Sequence, residues 1–270
     1  MTSTFSIGDR ETEPITLSAL EFDVLWEHLE LGQLPLVVKV PSPGRTFEER
    51  EALERQVWAA LESRGLGRPV DLHPDIEGIL TLIAKPDREV DVRAYSGRNV
   101  RALAARCGEA GAVAELSGGQ ISLRHASPTG LASAALASLR AAPAGSGQSV
   151  TLRTIDFEGA AIDGGGTQPG FLNALMSRGI RHDDATALSE MIKDVSGMGN
   201  FGAAARDRLG RRHRAGRVVS FFDTEEGRYL QIRRPSQDGT MWTTISPADS
   251  RKLIHQVDQL LGEVVNEVSS

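Results

Sequence analysis

The chain has almost no cysteine. Cys107 stands alone among 270 residues. One thiol excludes an internal disulfide and any cysteine-based metal cage. Cys107 closes a candidate strand, where a small packed residue is expected rather than a nucleophile. Lysine is nearly as scarce: Lys39, Lys85, Lys193 and Lys252 are the whole set, and arginine carries the remaining basic charge. The net charge of −6 argues against an extended phosphate backbone as partner, so no nucleic acid is expected. Long apolar runs are absent too. No stretch approaches the ~20 residues that span a bilayer, and no basic segment followed by an apolar run opens the chain. Neither membrane insertion nor a signal peptide is expected, and the expected location is the cytoplasm.

Catalytic signatures are equally thin. Gly164-Gly165-Gly166 lacks the lysine, spacing and strand-to-helix setting of a phosphate-binding loop. No G-x-S-x-G elbow occurs. The six histidines, His28, His73, His125, His182, His213 and His255, contain no i,i+4 pair that would seat a metal on one helix face. His182-Asp183-Asp184 and His73-Pro74-Asp75 read as helix starts. Glu225-Glu226 sits in a turn, where acids are ordinary solvated residues. No catalytic residue, metal or cofactor is expected.

What is present is a repeated pattern. Arg217 to Leu261 holds three short strands: Val218 to Phe222, Tyr229 to Arg233 and Met241 to Ile245. Thr224-Glu225-Glu226-Gly227 and Pro235 to Gly239 turn between them. Ser246 stands where a helix N-cap belongs, with Pro247 first in the helix and Asp249 at the capping-box position. Leu253, Ile254, Val257, Leu260, Leu261, Val264, Val265 and Val268 then form one apolar stripe. Val100 to Arg106, Ala112 to Leu116, Ile121 to His125, Ser127-Pro128 and a helix with Leu131, Leu136 and Leu139 follow the same grammar. We read this as a diverged internal duplication; chance recurrence of a common hairpin-plus-helix unit is the alternative. Ala141 to Gln148 is the expected linker. It divides the chain into subdomains 1–142 and 143–270, expected to form one compact unit.

The remaining segments fit this scheme. Met1 to Glu13 is expected to be an arm or an added strand. Thr16 or Ser18 starts a helix that ends at Gly32. Leu34 to Val40 reads as a nearly continuous apolar strand. Thr46 and Glu49 cap a helix running to Arg64, with Phe47, Leu53, Val57, Trp58 and Leu61 on its buried side. Pro74 to Ala84 is a short helix, Glu89 to Tyr95 a strand, and Ser96-Gly97-Arg98-Asn99 a turn. Beyond the linker come a strand over Ser149 to Thr154 and helices over Gly170 to Arg178 and Asp183 to Val195. Phe201 to Arg208 is expected to pair with Val218 to Phe222 across a loop holding Arg211-Arg212-His213-Arg214, read as an exposed hairpin loop, with an anion site as the alternative. Each half therefore reads as helices, a four-strand antiparallel meander and a closing helix. The class is α+β: an antiparallel sheet with flanking helices in two related subdomains.

One sheet face stands out. Tyr229, Gln231 and Arg233 share one side of a strand. Arg93 and Tyr95 lie in the corresponding segment of the first half. If helices cover the other side, this face is open, and its residue types suit a protein–protein surface. The plain alternative is an ordinary solvated sheet.

These segments resemble a known family. The runs "LSALEFDVLWEHLELGQ" and "LPLVVKVPSPGRTFEERE", the strand "VDVRAYSG", the run "FGAAARDRLGRRHRAGRVVSFFDTEEGRYL" and the terminal "WTTISPADSRKLIHQVDQLL" are similar to the EspG family of actinobacterial type VII (ESX) secretion-associated proteins. The likeness covers about Leu17 to Leu261, with the segment from Glu158 to Gly166 shortened. It implies an antiparallel sheet shared by two pseudo-twofold subdomains. It implies a cytosolic chaperone without catalytic activity, which binds the PPE subunit of a PE–PPE heterodimer at its hydrophobic helical tip and keeps it soluble for export. An exposed apolar tip is an aggregation liability, so a dedicated cap is physically sensible. Carried over by segment, the partner-binding residues are Tyr95, Gly97 and Arg98 at the Ser96 to Asn99 loop, and Tyr229, Gln231 and Arg233 on the sheet. The helices from Gly170 to Val195 join them. Two other classes stay open: a hydrolase or transferase with a scattered site at the subdomain interface, and a homodimer that pairs this same face.

Overall fold

The computed structural model describes residues 13–269. The expected N-terminal arm or strand lies at residues outside the described ones. The first half runs β1 (Ile15–Ser18), α1 (Ala19–His28), α2 (Phe47–Ser63), β2 (Gly67–Arg68), β3 (Asp71–Leu72), α3 (Pro74–Ala84), β4 (Arg88–Tyr95), β5 (Asn99–Cys107), β6 (Ala110–Ser117), β7 (Gln120–Ala126) and α4 (Leu131–Leu136). The second runs β8 (Val150–Arg153), α5 (Thr154–Asp163), α6 (Gln168–Ser177), α7 (His182–Met191), β9 (Gly197–Arg206), β10 (Arg212–Arg214), β11 (Val219–Thr224), β12 (Gly227–Pro235), β13 (Met241–Pro247) and α8 (Ser250–Ser269).

Local chemistry sets the helix starts. Ser18 and Thr46 each form a reciprocal capping box, with Glu21 and Glu49. At α8 the strand runs through Ser246 to Pro247, and Asp249 supplies the cap, accepting the Lys252 amide at 2.8 Å. The expected Ser246 cap is therefore displaced by three residues. The expected strand over residues 34–40 is irregular instead. Pro35 cannot donate to a ladder, and its carbonyl closes a turn by accepting the Val38 amide. Phe47, expected on the buried side of α2, is exposed.

One antiparallel sheet holds most strands, in the order β1-β7-β6-β5-β4-β9-β11-β12-β13-β8, with β10 on β9. Outward from the central β4/β9 pair, each half lays down its meander and then the strand that opened that half. The element order is thus repeated. Descent from a single duplicated unit, divided near residue 142, remains our proposal. The linker is not a free tether. Pro143 and Gly145 exchange backbone hydrogen bonds with Arg228 of β12, at 2.8 and 3.0 Å.

The helices divide unevenly between the two faces. Helices α4 and α8 pack on one face at its centre, burying Val90, Val92, Phe201, Val219, Phe221 and Leu230. The other face carries two separate groups. At the first-half end, α1–α3 cover Leu103, Leu116 and Leu123. At the second-half end, α5–α7 cover Val150, Phe222, Tyr229 and Ile245. Helix α5 escapes the sequence reading for a physical reason. It has no side-chain cap, and Ile155 and Ile162 point to solvent, so no clean stripe forms. Its Gly159 makes room for the Arg178 guanidinium, which binds Asp163 at 2.5 Å.

Candidate functional surface

Between the two helix groups the middle of the sheet is bare. The strand registers place its side chains in rows. Tyr95 of β4 faces Met198 of β9, and Met198 faces Phe222 of β11, which faces Tyr229 of β12. One step along, Arg101 faces Arg93, Arg93 faces Asn200, and Asn200 faces Ser220, which faces Gln231. Residues two apart in a strand share a face, so both rows lie on the same side.

The first row runs from open to buried. Tyr95 is 52% exposed and Met198 59%, whereas Phe222 is 8% and Tyr229 1%. Helices α5–α7 cover only its second-half end. Val218, 41% exposed, borders the same opening. Adjacent large apolar side chains in solvent form a patch of the kind that marks docking surfaces.

Beside this patch lies a trough of about 1070 Å³, walled by residues 31–37 and floored by a ladder of ion pairs. Arg212 donates through Nε to Glu89 at 2.9 Å, and Arg214 donates to Asp91 at 2.5 and 3.1 Å. The Asp91 contact raises Arg214 above its ordinary pKa. Gly202 permits this arrangement, because a Cβ there would overlap the Arg214 guanidinium and crowd Asp91. Gly202→Ala is expected to push the Arg214 guanidinium off Asp91 and to lower the melting temperature by only about 1–3 °C, without any change at the exposed patch. Thermal unfolding followed by circular dichroism checks it.

The basic cluster 211–214 was expected as an exposed loop. Residues 212–214 instead form strand β10, and each member is tied to an acid: Arg211 and His213 to Asp207, Arg212 to Glu89, Arg214 to Asp91. The His213 hydrogen bond, helped by the Arg211 side chain and the Leu209 and Arg211 amides, holds the Asp207 carboxyl far below the usual carboxylate range. A depressed carboxyl contributes stability above its unfolded value near pH ~4 and loses it as pH falls further. The melting-temperature gap between wild type and Asp207→Asn is therefore expected to be full at pH 7 and to shrink from about pH 4 downward.

The family model described as the EspG family matches residues 18–259. The chain belongs to the EspG family. No curated protein matches it. A solved structure of the Mycobacterium tuberculosis type VII secretion system chaperone EspG5, in complex with a PE25–PPE41 dimer, is similar in fold. The TM-score is 0.70 at 17% identity, covering 92% of this chain and 95% of that one.

Within this EspG fold the six residues singled out from sequence do not share one environment. Tyr95 lies on the open face. Gly97, at φ 71°, and Arg98 form the exposed β4–β5 turn at the end of that face. Gln231 is half-buried in the second row. Arg233 is exposed but pairs with Glu158 of α5 at 2.8 Å. Tyr229 corrects the expectation of a wholly open face. It is a core residue, stacked on Phe222 at 5.2 Å between ring centroids. The flanking helices α5–α7 cover its end of the sheet. Sequence reasoning missed Met198 and Asn200 because β9 was started at Phe201, four residues after the strand begins at Gly197. Gly197 and Gly199 hid the alternation there, since glycine disfavours strands. Among the described residues, no group of three or more His, Cys, Asp or Glu is placed to hold a metal, and no helix is long and apolar enough to cross a membrane.

Proposed function

We propose that this protein is a cytosolic type VII secretion chaperone, a binding protein rather than an enzyme. Its cargo is the PPE-type subunit of a PE–PPE pair, held at the hydrophobic helical tip and kept soluble for export. The observation that carries the reading is the bare middle of the sheet: in an EspG-family chain, Tyr95 and Met198 form an exposed apolar pair between two helical walls. A helical tip fits such a saddle, and its apolar residues gain about 25 cal/mol for each Å² removed from water. The solved complex of similar fold contains a PE–PPE dimer, which supports the same class of cargo. Tyr95, Gly97, Arg98, Gln231 and Arg233 form or border the contact in this reading, and Tyr229 supports it from beneath. An interfacial enzyme site has less in its favour: the carboxylates Glu89 and Asp91 on the trough floor are each held by an arginine.

Co-expression with each PE–PPE-like pair of the same genome, followed by size-exclusion chromatography, tests the reading. One pair is expected to give a stoichiometric complex. Tyr95→Ala with Met198→Ala is expected to abolish it while leaving unfolding stability within about 0.5 kcal/mol, since both positions are exposed. Absence of a complex with every pair, or self-association through the same face instead, contradicts it.

A further inference from the structure

The second row of the open face carries an imbalance that the fold does not correct. Arg93 and Arg101 stand directly opposite each other on β4 and β5. Like charges in that relation repel. Three arginines elsewhere on this face are neutralised by acids, Arg212 by Glu89, Arg214 by Asp91 and Arg233 by Glu158, and Arg206 is spent on the Pro86 and Gly210 carbonyls. The Arg93 and Arg101 side chains have no hydrogen bond or ion pair among the described residues. The next residue in the row extends the pattern. Asn200 spends its side-chain oxygen on the Ser220 hydroxyl, at 2.6 Å, which leaves its amide hydrogens as unused donors. Three consecutive strands thus present Arg101, Arg93 and Asn200 as donors without an acceptor. Neighbouring strands lie about 4.8 Å apart, so two long guanidinium arms and a central amide can converge on one group.

We propose that this row receives a carboxylate side chain of the docked partner, set beside the apolar residue that contacts Tyr95 and Met198. The inference rests on the chaperone reading above and adds a chemical requirement to it. The cargo tip must carry an acid next to its apolar contact. Guanidinium groups suit the role because their planar fork pairs with a carboxylate through two hydrogen bonds. The requirement also bears on selectivity. A tip with a basic residue at that position would meet two arginines and be rejected, whatever its apolar complementarity.

The test uses the purified complex with the cognate pair, with affinity measured by titration calorimetry at low and high sodium chloride. Arg93→Gln with Arg101→Gln is expected to weaken binding at least about tenfold and to flatten its salt dependence. Tyr95→Ala is expected to weaken binding while keeping the salt dependence. Replacing the facing acid of the cargo by arginine is expected to abolish binding to wild type and to restore it to Arg93→Glu with Arg101→Glu. Wild-type affinity and salt dependence in the double glutamine variant, with Tyr95→Ala still weakened, overturns the carboxylate and leaves the chaperone reading standing. Wild-type affinity in both variants moves the contact off this face and overturns the carboxylate with it. Absence of a complex with any pair overturns both.

Discussion

Arg228→Ala is expected to lower the unfolding free energy by about 3–5 kcal/mol, the usual cost of removing one member of a buried ion pair. Arg228 is 1% exposed. It donates to Asp223 through Nε at 2.7 Å and Nη2 at 2.9 Å, and Nη2 also reaches the Arg140 carbonyl at 3.0 Å. Its guanidinium lies 4.7 Å from the Phe221 ring centroid. One side chain therefore joins two strands of the second half to the end of the first. Its backbone holds the linker at Pro143 and Gly145. Loss of the cation leaves the largely buried Asp223 carboxylate without its partner. A second substitution separates the charge from the packing. Arg228→Met with Asp223→Leu is expected to recover a large part of the loss, because replacing both partners removes the orphaned charge. Denaturant unfolding of the two variants gives the comparison. Equal destabilisation in both would show that packing, not the pair, sets the cost.

Tyr229→Ala carries a similar penalty, about 3–5 kcal/mol, by deletion of a buried ring. The ring stacks on Phe222 and belongs to the core beneath α5–α7. Gly145 of the linker approaches it so closely that no Cβ fits there. The consequence for binding experiments is direct. A complex lost on Tyr229→Ala reports a damaged core, not a lost contact. Tyr229→Phe keeps the stacked ring and is expected to bind cargo as wild type does. Tyr95→Ala is the informative counterpart, since Tyr95 stands in solvent. A stable Tyr229→Ala protein with selective loss of binding would contradict this placement.

The contrast between these two tyrosines shows what could be read from sequence. Alternation along β12 correctly placed Tyr229, Gln231 and Arg233 on one side of the strand. It could not say that α5–α7 cover the Tyr229 end of that side and leave the β4/β9 end open. That is decided by where helices dock, which depends on non-local packing. Boundaries were legible where short-range chemistry sets them: Thr46 and Glu49 at α2, Pro74 at α3, the glycine turns between strands. They were missed where a competing local preference wins. Pro35 breaks an apolar run into turns. Ser246 stays in the strand because Asp249 offers a better cap. Helix α5, with a glycine at its middle and isoleucines in solvent, carries no amphipathic signal. The β4 to β7 and β9 to β13 meanders were readable because turns and alternation recur, though the pairing of β4 with β9, which joins the halves, left no mark in local pattern.

The measurement that bears most directly on the proposed function is site-specific photo-crosslinking of the assembled complex. A photoreactive residue is placed in turn at Tyr95, Met198 and Val70, a solvent-exposed residue on the turn of the separate two-stranded sheet β2–β3. Crosslinks to the PPE-type subunit from positions 95 and 198, and none from position 70, are the predicted result. Crosslinks from position 70 with none from 95 or 198 would contradict the account and remove the open middle of the sheet as the cargo site.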